Sequence, residues 1–426
     1  MTLFRWTRVP ADRALVCVDE RLPWPQTIAL GMQYLVVMLG ATVAPLLMGF
    51  DPSLAMLMCG ISTLLFYLIT AGQVPSFMGC SSTFIGAVVA VSGHGGSGPN
   101  ANLGAVLGGV IAAGMFTCAL GLLVRGFGAR WIPHLLPPIV NGTILLVVGA
   151  NLAMIPAHML EGASTFDACM QLATATTLAL LMTAPCRRIR RMAVMIALTA
   201  GTGLYAVLAN GLSIGTPVTL HTLHQVPWFG LPALHAPQFH FTAMATLVPL
   251  ALVLAVETLS HVKAVGDMTG RDLHGQMGNA LIGDGLGTMM SGGCGGPPLT
   301  SYAENIGIMA ATRIYSSAVL VVAGVVATGL GLSPRVGELL RLIPTPILGG
   351  VVIAVFGMIA VAGVRMLIEH AIDLQRPRNQ LIVAIPLVLG AGHFTFPLGD
   401  APLDGIAVAS FAAIMLQALL PGRRPR

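Results

Sequence analysis

The sequence predicts an all-α polytopic membrane protein, and three observations carry that prediction. Of its 426 residues 55% are hydrophobic and only 9% charged, with a mean hydropathy of +0.85, whereas a soluble domain carries about 25% charged residues. A water-soluble globule is excluded. The apolar stretches between charge clusters are long: at about 20 apolar residues per crossing they leave room for more than about ten helices and almost no extramembrane domain. The 51 glycines and 28 prolines exceed what straight helices use, and membrane helices tolerate both where the backbone is broken inside protein or beside a cavity. The seven cysteines show no CxxC and no paired spacing; those in apolar stretches, such as Cys59, Cys80 and Cys118, read as small core residues. No disulfide framework, zinc site or cofactor is expected.

The net charge of +5 is dispersed in short basic clusters between apolar segments, which makes it a topology signal rather than a nucleic-acid surface. Residues 1–25 carry Arg5, Arg8, Arg13 and Arg21 among acids and lack the apolar run and small-residue cleavage site of a secretory signal, so they read as a cytoplasmic tail. Spans are expected at 26–49, 53–71, 77–94, 103–124, 133–151, 169–185, 192–211, 241–262, 278–292, 297–312, 314–332, 345–368, 379–396 and 404–420. With these fourteen spans, 19 of the 21 basic residues fall on the cytoplasmic side, including Arg187, Arg188, Arg190, Arg191, Lys263, Arg271 and Arg313, and only Arg335 and Arg341 fall outside. Both termini, including 421–426, are then cytoplasmic. The loop 212–240, with His221, His224, His235 and His240, falls outside; its irregular spacing reads as scattered surface histidines rather than a metal site.

Two segments are too polar and too punctuated for ordinary spans: 75–84 (PSFMGCSSTF) and 297–307 (PPLTSYAENIG). Each opens with Pro, continues through a short extended stretch, and offers Ser or Thr cap candidates (Ser81, Ser82; Thr300, Ser301) before a helical run. They read as strand followed by half-helix. Their starts lie 222 residues apart (297 − 75), close to half the chain, which suggests two seven-span repeats of inverted topology. Interrupted segments at corresponding places in two halves point to a transporter site; the alternative is a pair of packing kinks.

The acidic residues favour the site. Glu257 lies inside LVPLALVLAVETLSHV and Glu304 inside SYAENIGIM, and a carboxylate at membrane depth is costly unless paired, solvated or protonated. His261 follows Glu257 by four residues and shares its helical face. A titratable imidazole therefore stands one turn from a carboxylate. Asp284, in NALIGDGLGTMMSGG, is a third buried acid for which a structural hydrogen bond and a role in transport are equally open. The 23 methionines read as adaptable packing residues.

At these residues the chain resembles the nucleobase/ascorbate transporter family, also called nucleobase:cation symporter 2, and most closely its uracil and pyrimidine permeases of the pyrimidine-utilisation type. The likeness covers nearly the whole chain and rests on QTIALGMQYLVVMLGATV, VPSFMGCSSTFIG, VETLSHVKAVGDMTGRD and TSYAENIGIMAATRIYSS. The resemblance implies a seven-plus-seven inverted repeat divided into a core domain (26–124 and 241–332) and a gate domain (125–240 and 333–420), with homodimers formed through the gate. It implies substrate binding by Glu257 and Glu304, backbone contacts to the base at Ser82 and Ala303, neighbouring binding positions at Thr83 and Tyr302, and proton coupling at Glu257 with His261. Uracil permeases can have Phe where this chain has Ser82, and relatives usually have His where it has Tyr34 after Gln33.

The sequence therefore predicts a secondary transporter of the bacterial inner membrane that imports uracil or a related pyrimidine, with a proton as coupling ion and Na⁺ the alternative. Uracil offers two N–H donors and two carbonyl acceptors, matching a carboxylate and the backbone N–H groups at half-helix starts. A purine permease of the same family and an anion transporter of the same fold are the rival readings. Two acids in the site oppose the anion. An enzyme would need a nucleophile and base or a full ligand set, which Glu257, His261 and Glu304 do not make, and a channel would not need paired carboxylates at two half-helices.

Overall fold

The computed structural model describes residues 5–10, 13, 15–38, 43–94, 98–129, 131, 137–186, 189, 190, 193–212, 214–218, 223, 225–302, 308, 309, 312–398, 401–403 and 405–420, with backbone alone at 36–38, 43, 212, 397, 398, 401–403 and 407. The protein is mostly helical. Among the described residues seven helices are long and apolar enough to cross a membrane, which makes the chain a multi-pass membrane protein.

A short parallel pair, β1 (Thr7–Arg8) with β2 (Glu20–Arg21), precedes the first helices, α1 (Trp24–Met38) and α2 (Val43–Leu47). The next helix, α3 (Pro52–Ile69), starts where its chemistry says it should. The Asp51 carboxylate accepts from the Ser53 and Leu54 amides at 2.8 and 3.3 Å, and Pro52 supplies a first position that needs no donor. Strand β3 (Met78–Cys80) and a 3-10 turn (Ser82–Phe84) lead into the short helix α4 (Ile85–Ser92), closed by Gly93 at φ 66°. Then follow α5 (Leu103–Phe127), α6 (Pro138–Asn151), α7 (Met154–His158), α8 (Thr165–Thr183) and α9 (Ala193–Leu212).

The second half runs through α10 (Phe241–Thr269), α11 (Met277–Cys294) and strand β4 (Leu299–Ser301). Ile308, Met309 and Thr312 are helical, and α12 (Ser317–Gly331) turns through 82° into α13 (Pro334–Arg341). The chain ends with α14 (Thr345–Glu369), α15 (Pro377–Ala391), a hairpin of β5 (Phe396–Leu398) and β6 (Ala401–Leu403), and α16 (Gly405–Leu419). Helix α10 outlasts the expected eighth span, 241–262. Helix α10 continues past Lys263 and Asp267 and stops only at Gly270, whose φ of 66° ends the helix, because charged residues end an apolar run without ending a helix.

The helices sort into two bundles by what they pack against. In the first, α1 lies on α12, α3 on α11 and α12, and α5 on α10 and α11; in the second, α6 lies on α14, α15 and α16, α8 on α9 and α14, and α15 on α16. The bundles meet where α10 and α4 touch α16. The α5–α11 crossing is the tightest kind available in lipid, where helices associate by close van der Waals packing rather than by hydrophobic burial. A Cβ placed on Gly114 would lie 2.7 Å from the Gly285 carbonyl oxygen, and one on Gly121 2.8 Å from that of Gly278. Backbone meets backbone.

At one end of the molecule α13 is pinned to its surroundings. Arg341 pairs with Asp51 at 3.1 Å, while the Arg335 guanidinium donates to the Val226 carbonyl at 2.8 Å and sits 4.2 Å above the Trp228 ring. Arg335 and Arg341, the two basic residues expected outside, thus lie with the loop expected on the same side. His235 and His240 of that loop are exposed, and His221 and His224 fall outside the described residues.

Candidate functional site

The two interrupted segments meet in space. Strands β3 and β4 pair antiparallel, Met78 opposite Ser301, Gly79 opposite Thr300 and Cys80 opposite Leu299, and the pairing is extended by Ser81 N–H to the Pro298 carbonyl (2.9 Å) and Tyr302 N–H to the Phe77 carbonyl (3.2 Å). A two-stranded ribbon has two outer edges, and unsatisfied backbone groups are costly away from water. Helix hydroxyls serve both edges. Thr63 of α3 accepts from the Met78 amide at 2.9 Å, and Thr288 of α11 accepts from the Leu299 amide at 3.2 Å while donating to the Leu299 carbonyl at 2.8 Å.

Helix α10 lays its polar face across this ribbon, touching β4, the 3-10 turn and α4. His261 Nδ1 is 3.0 Å from Ser301 Oγ, and His261 Nε2 is 4.0 Å from Glu257 Oε1. The Glu257 side chain is 35% exposed and that of His261 13%. The carboxylate is thus about a third exposed, while the imidazole is held against the strand. One residue further along α10, Thr258 donates its hydroxyl to Asp284 Oδ2, and Thr300 of β4 reaches the same oxygen at 3.5 Å. Asp284 is fully buried, and its Oδ1 has no hydrogen-bond partner among the described residues. Of the two roles open for Asp284, the structure displays the structural one: it ties α10, α11 and β4 together behind the site.

Five of the seven expected site residues lie among the described residues. Glu257 and His261 lie together on α10 as the four-residue spacing predicts. Ser82 is half-buried and Thr83 buried in the turn that opens α4. Tyr302 is buried, its ring lies over Gly79 where any Cβ would strike it, and its hydroxyl donates to the Cys80 carbonyl at 2.8 Å. Ala303 and Glu304 lie outside the described residues. The capping expectation needs correction. Ser81 stands at the cap position of the 3-10 turn without a side-chain cap bond, and α4 begins after Phe84 with none. Thr300 and Ser301 are strand residues whose hydroxyls turn to Asp284 and His261. The tight turn at 82–84 puts Phe84, not a serine, at the cap position of α4, and the strand pairing turns the Thr300 and Ser301 hydroxyls toward α11 and α10.

The residues that position this face, Thr63, Thr258, Thr288 and Ser301 in its partnership with His261, were not identified from the sequence. Hydroxyls are frequent in membrane helices, and only the pairing of chain segments far apart in sequence gives these four a task.

A family model described as a permease family matches residues 25–399. RutG of Escherichia coli (strain K12), named as a pyrimidine permease, is 45% identical over 96% of this chain and 92% of its own. The uracil permease of Bacillus caldolyticus is 34% identical over 97% of this chain and 96% of its own. Among solved structures, the transmembrane domain of the cyanobacterial bicarbonate transporter BicA superposes with a TM-score of 0.61 at 16% identity, covering 91% of this chain and 97% of that one; this is a likeness of fold. Matched over most of its length by the permease model and along nearly all of it by these relatives, the chain belongs to the nucleobase/ascorbate transporter family.

Proposed function

We propose that the chain imports uracil or a closely related pyrimidine nucleobase by proton symport with alternating access. The observation that carries this reading is the β3–β4 pair, which brings two interrupted segments from opposite halves of the chain against the Glu257–His261 face of α10. Glu257 and Glu304 accept from the base N–H groups, and backbone N–H groups at Ser82 and Ala303 serve its carbonyls, with Thr83 and Tyr302 as neighbours. Tyr302 acts by holding β3 and β4 together, since its hydroxyl is bonded to Cys80. The proton moves at Glu257 with His261, whose protonation changes the cost of carrying the site between its two exposures. Relatives named for pyrimidine and uracil support the substrate class over a purine. A partly exposed carboxylate on the α10 face opposes an anion such as the bicarbonate carried by the protein of similar fold.

The architecture of this reading is fourteen crossings in two inverted halves, with both termini cytoplasmic in a bacterial inner membrane. Packing supports it, because contacts come in corresponding pairs: α3 on α12 and α11 on α5, α1 on α12 and α10 on α5, α6 on α15 and α14 on α8. Thr63 and Thr288 serve their strands in the same way. The first bundle is then the core domain and the second the gate domain, through which two copies form a homodimer.

Uptake of radiolabelled uracil into proteoliposomes tests the reading. An imposed inward proton gradient is expected to accelerate uptake, a Na⁺ gradient to leave it unchanged, and excess thymine to compete better than xanthine. Dominant competition by xanthine overturns the pyrimidine assignment, and acceleration by Na⁺ alone overturns proton coupling.

A further inference from the structure

The amino-terminal segment is built into the bundle. Val16 and Val18 are fully buried. Val16 forms a parallel bridge with Ile314: its N–H donates to the Arg313 carbonyl at 3.1 Å and its carbonyl accepts from the Tyr315 amide at 2.8 Å. Two residues on, the Val18 carbonyl accepts from both the amide (3.1 Å) and the hydroxyl (2.9 Å) of Ser317, and the Ser316 hydroxyl donates to the Glu20 carbonyl at 2.6 Å. The Trp6 indole N–H donates to Ser317 Oγ at 2.9 Å, with its ring 6.0 Å from Tyr67 at the end of α3 and 6.3 Å from Trp24 of α1. Asp19 pairs with Arg271, in the connection between α10 and α11, at 2.6 Å. Each of these partners belongs to the bundle that holds β3 and β4.

The grip falls at a particular place. Arg313 has φ 58°, a left-handed conformation that costs a non-glycine residue free energy and persists where its surroundings hold it. Its amide closes the preceding helical stretch by donating to the Met309 carbonyl at 2.8 Å, and its carbonyl is taken by Val16. In sequence, Glu304 lies between β4 and that stretch, nine positions before Arg313 (313 − 304).

We propose that the amino-terminal segment is a positioning strap for the substrate site: by bonding to 313–317 and to Arg271 it fixes the far end of the segment that carries Glu304. The proposal rests on the reading of Glu304 as a substrate ligand. Within the strap, Val16 is the positioning residue and the Asp19–Arg271 pair its anchor.

The test uses the full chain, purified in detergent, with uracil as the probe in titration calorimetry and hydrogen exchange followed over 303–312. Val16→Pro removes the N–H that holds Arg313, and is expected to raise the uracil Kd about tenfold, speed exchange over 303–312 and leave the saturated transport rate within about twofold. Arg271→Asp sets two carboxylates against each other and is expected to weaken binding about fivefold. Adding Asp19→Arg restores the pair with reversed charge and is expected to recover wild-type affinity, which a general loss of stability would not do. Unchanged Kd in Val16→Pro and Arg271→Asp, or failure of the reversed pair to recover binding, overturns the strap. If Val16→Pro does not fold, the charge-reversal series decides alone. A wild-type chain that fails to bind uracil overturns the substrate reading instead, and exchange over 303–312 then judges the strap: no change in Arg271→Asp overturns it.

Discussion

The two bundles share a way of standing in lipid and differ in the polar groups they bury. Glycine lets helices touch backbone to backbone in both, at α5–α11 in the first and α6–α14 in the second, but in the first polar side chains such as Asp284, Thr258 and Thr300 are buried where each finds another. In the second, α8 and α9 turn apolar side chains outward: Leu172, Leu180, Leu204 and Val207 are each more than half exposed. A site that holds a polar base, as proposed for the first bundle, demands fixed geometry and satisfied groups around it. A bundle that meets lipid or another copy needs only an apolar face.

Five substitutions break or sharpen that contrast. The largest effect is expected from Gly285→Leu, which drives a side chain into the backbone of α5 at Gly114 and Cys118. Overpacking costs about 1–3 kcal/mol where side chains can yield, and here the obstacle is backbone, so little folded protein should reach the membrane; size-exclusion profiles of the solubilised chain check this. Next is Glu257→Gln, which keeps size and removes charge. A hydrogen bond to a charged group contributes about 1.5–3 kcal/mol, so uracil affinity measured by calorimetry should fall about tenfold or more with the melting temperature nearly unchanged. Wild-type affinity in this variant would take Glu257 out of the site.

Third comes a pair of variants that compares the halves themselves. Thr63→Val and Thr288→Val each strip one strand edge of its hydroxyl partner, and each should destabilise the protein by about 1–3 kcal/mol, the cost of an unsatisfied buried amide. Comparable losses in thermal melting support equivalent halves, whereas a large effect from one and none from the other would set the halves apart. The smallest effect belongs to the second bundle. Leu180→Ala, on an exposed face of α8, should change stability by less than about 0.5 kcal/mol in a single chain, so a marked shift in the oligomer distribution by crosslinking would place that face in contact with a second copy.

Much of this was legible in residues that violate their surroundings. Pro, Gly and Ser in 75–84 and 297–307 interrupt an otherwise apolar chain, and Glu257 with His261 breaks an apolar helix, so both features stand out without any knowledge of the fold. What stayed hidden is partnership. That Ser301 faces His261, or that Thr63 holds the Met78 amide, follows from contacts between segments that have no periodic relation in sequence. Three-residue strands are also too short to show alternation. The amino-terminal strap was hidden for another reason: its buried Val9, Val16, Val18 and Leu22 are interspersed with Arg, Asp and Glu, so its composition is that of a solvated tail while its backbone bonds are those of an edge strand.

The β3–β4 ribbon also has a kinematic meaning. Two half-crossings that approached each other only through side chains would be separate bodies, free to slide or part. Backbone bonds running from Phe77 to Ser81 on one segment and from Pro298 to Tyr302 on the other remove that freedom, and the Tyr302 hydroxyl on Cys80 rivets the join. Anything lodged beside the ribbon keeps both of its walls through any displacement. In the proposed alternating-access cycle the binding geometry is then an invariant of the motion, and the surface where α16 meets α4 and α10 is left to change.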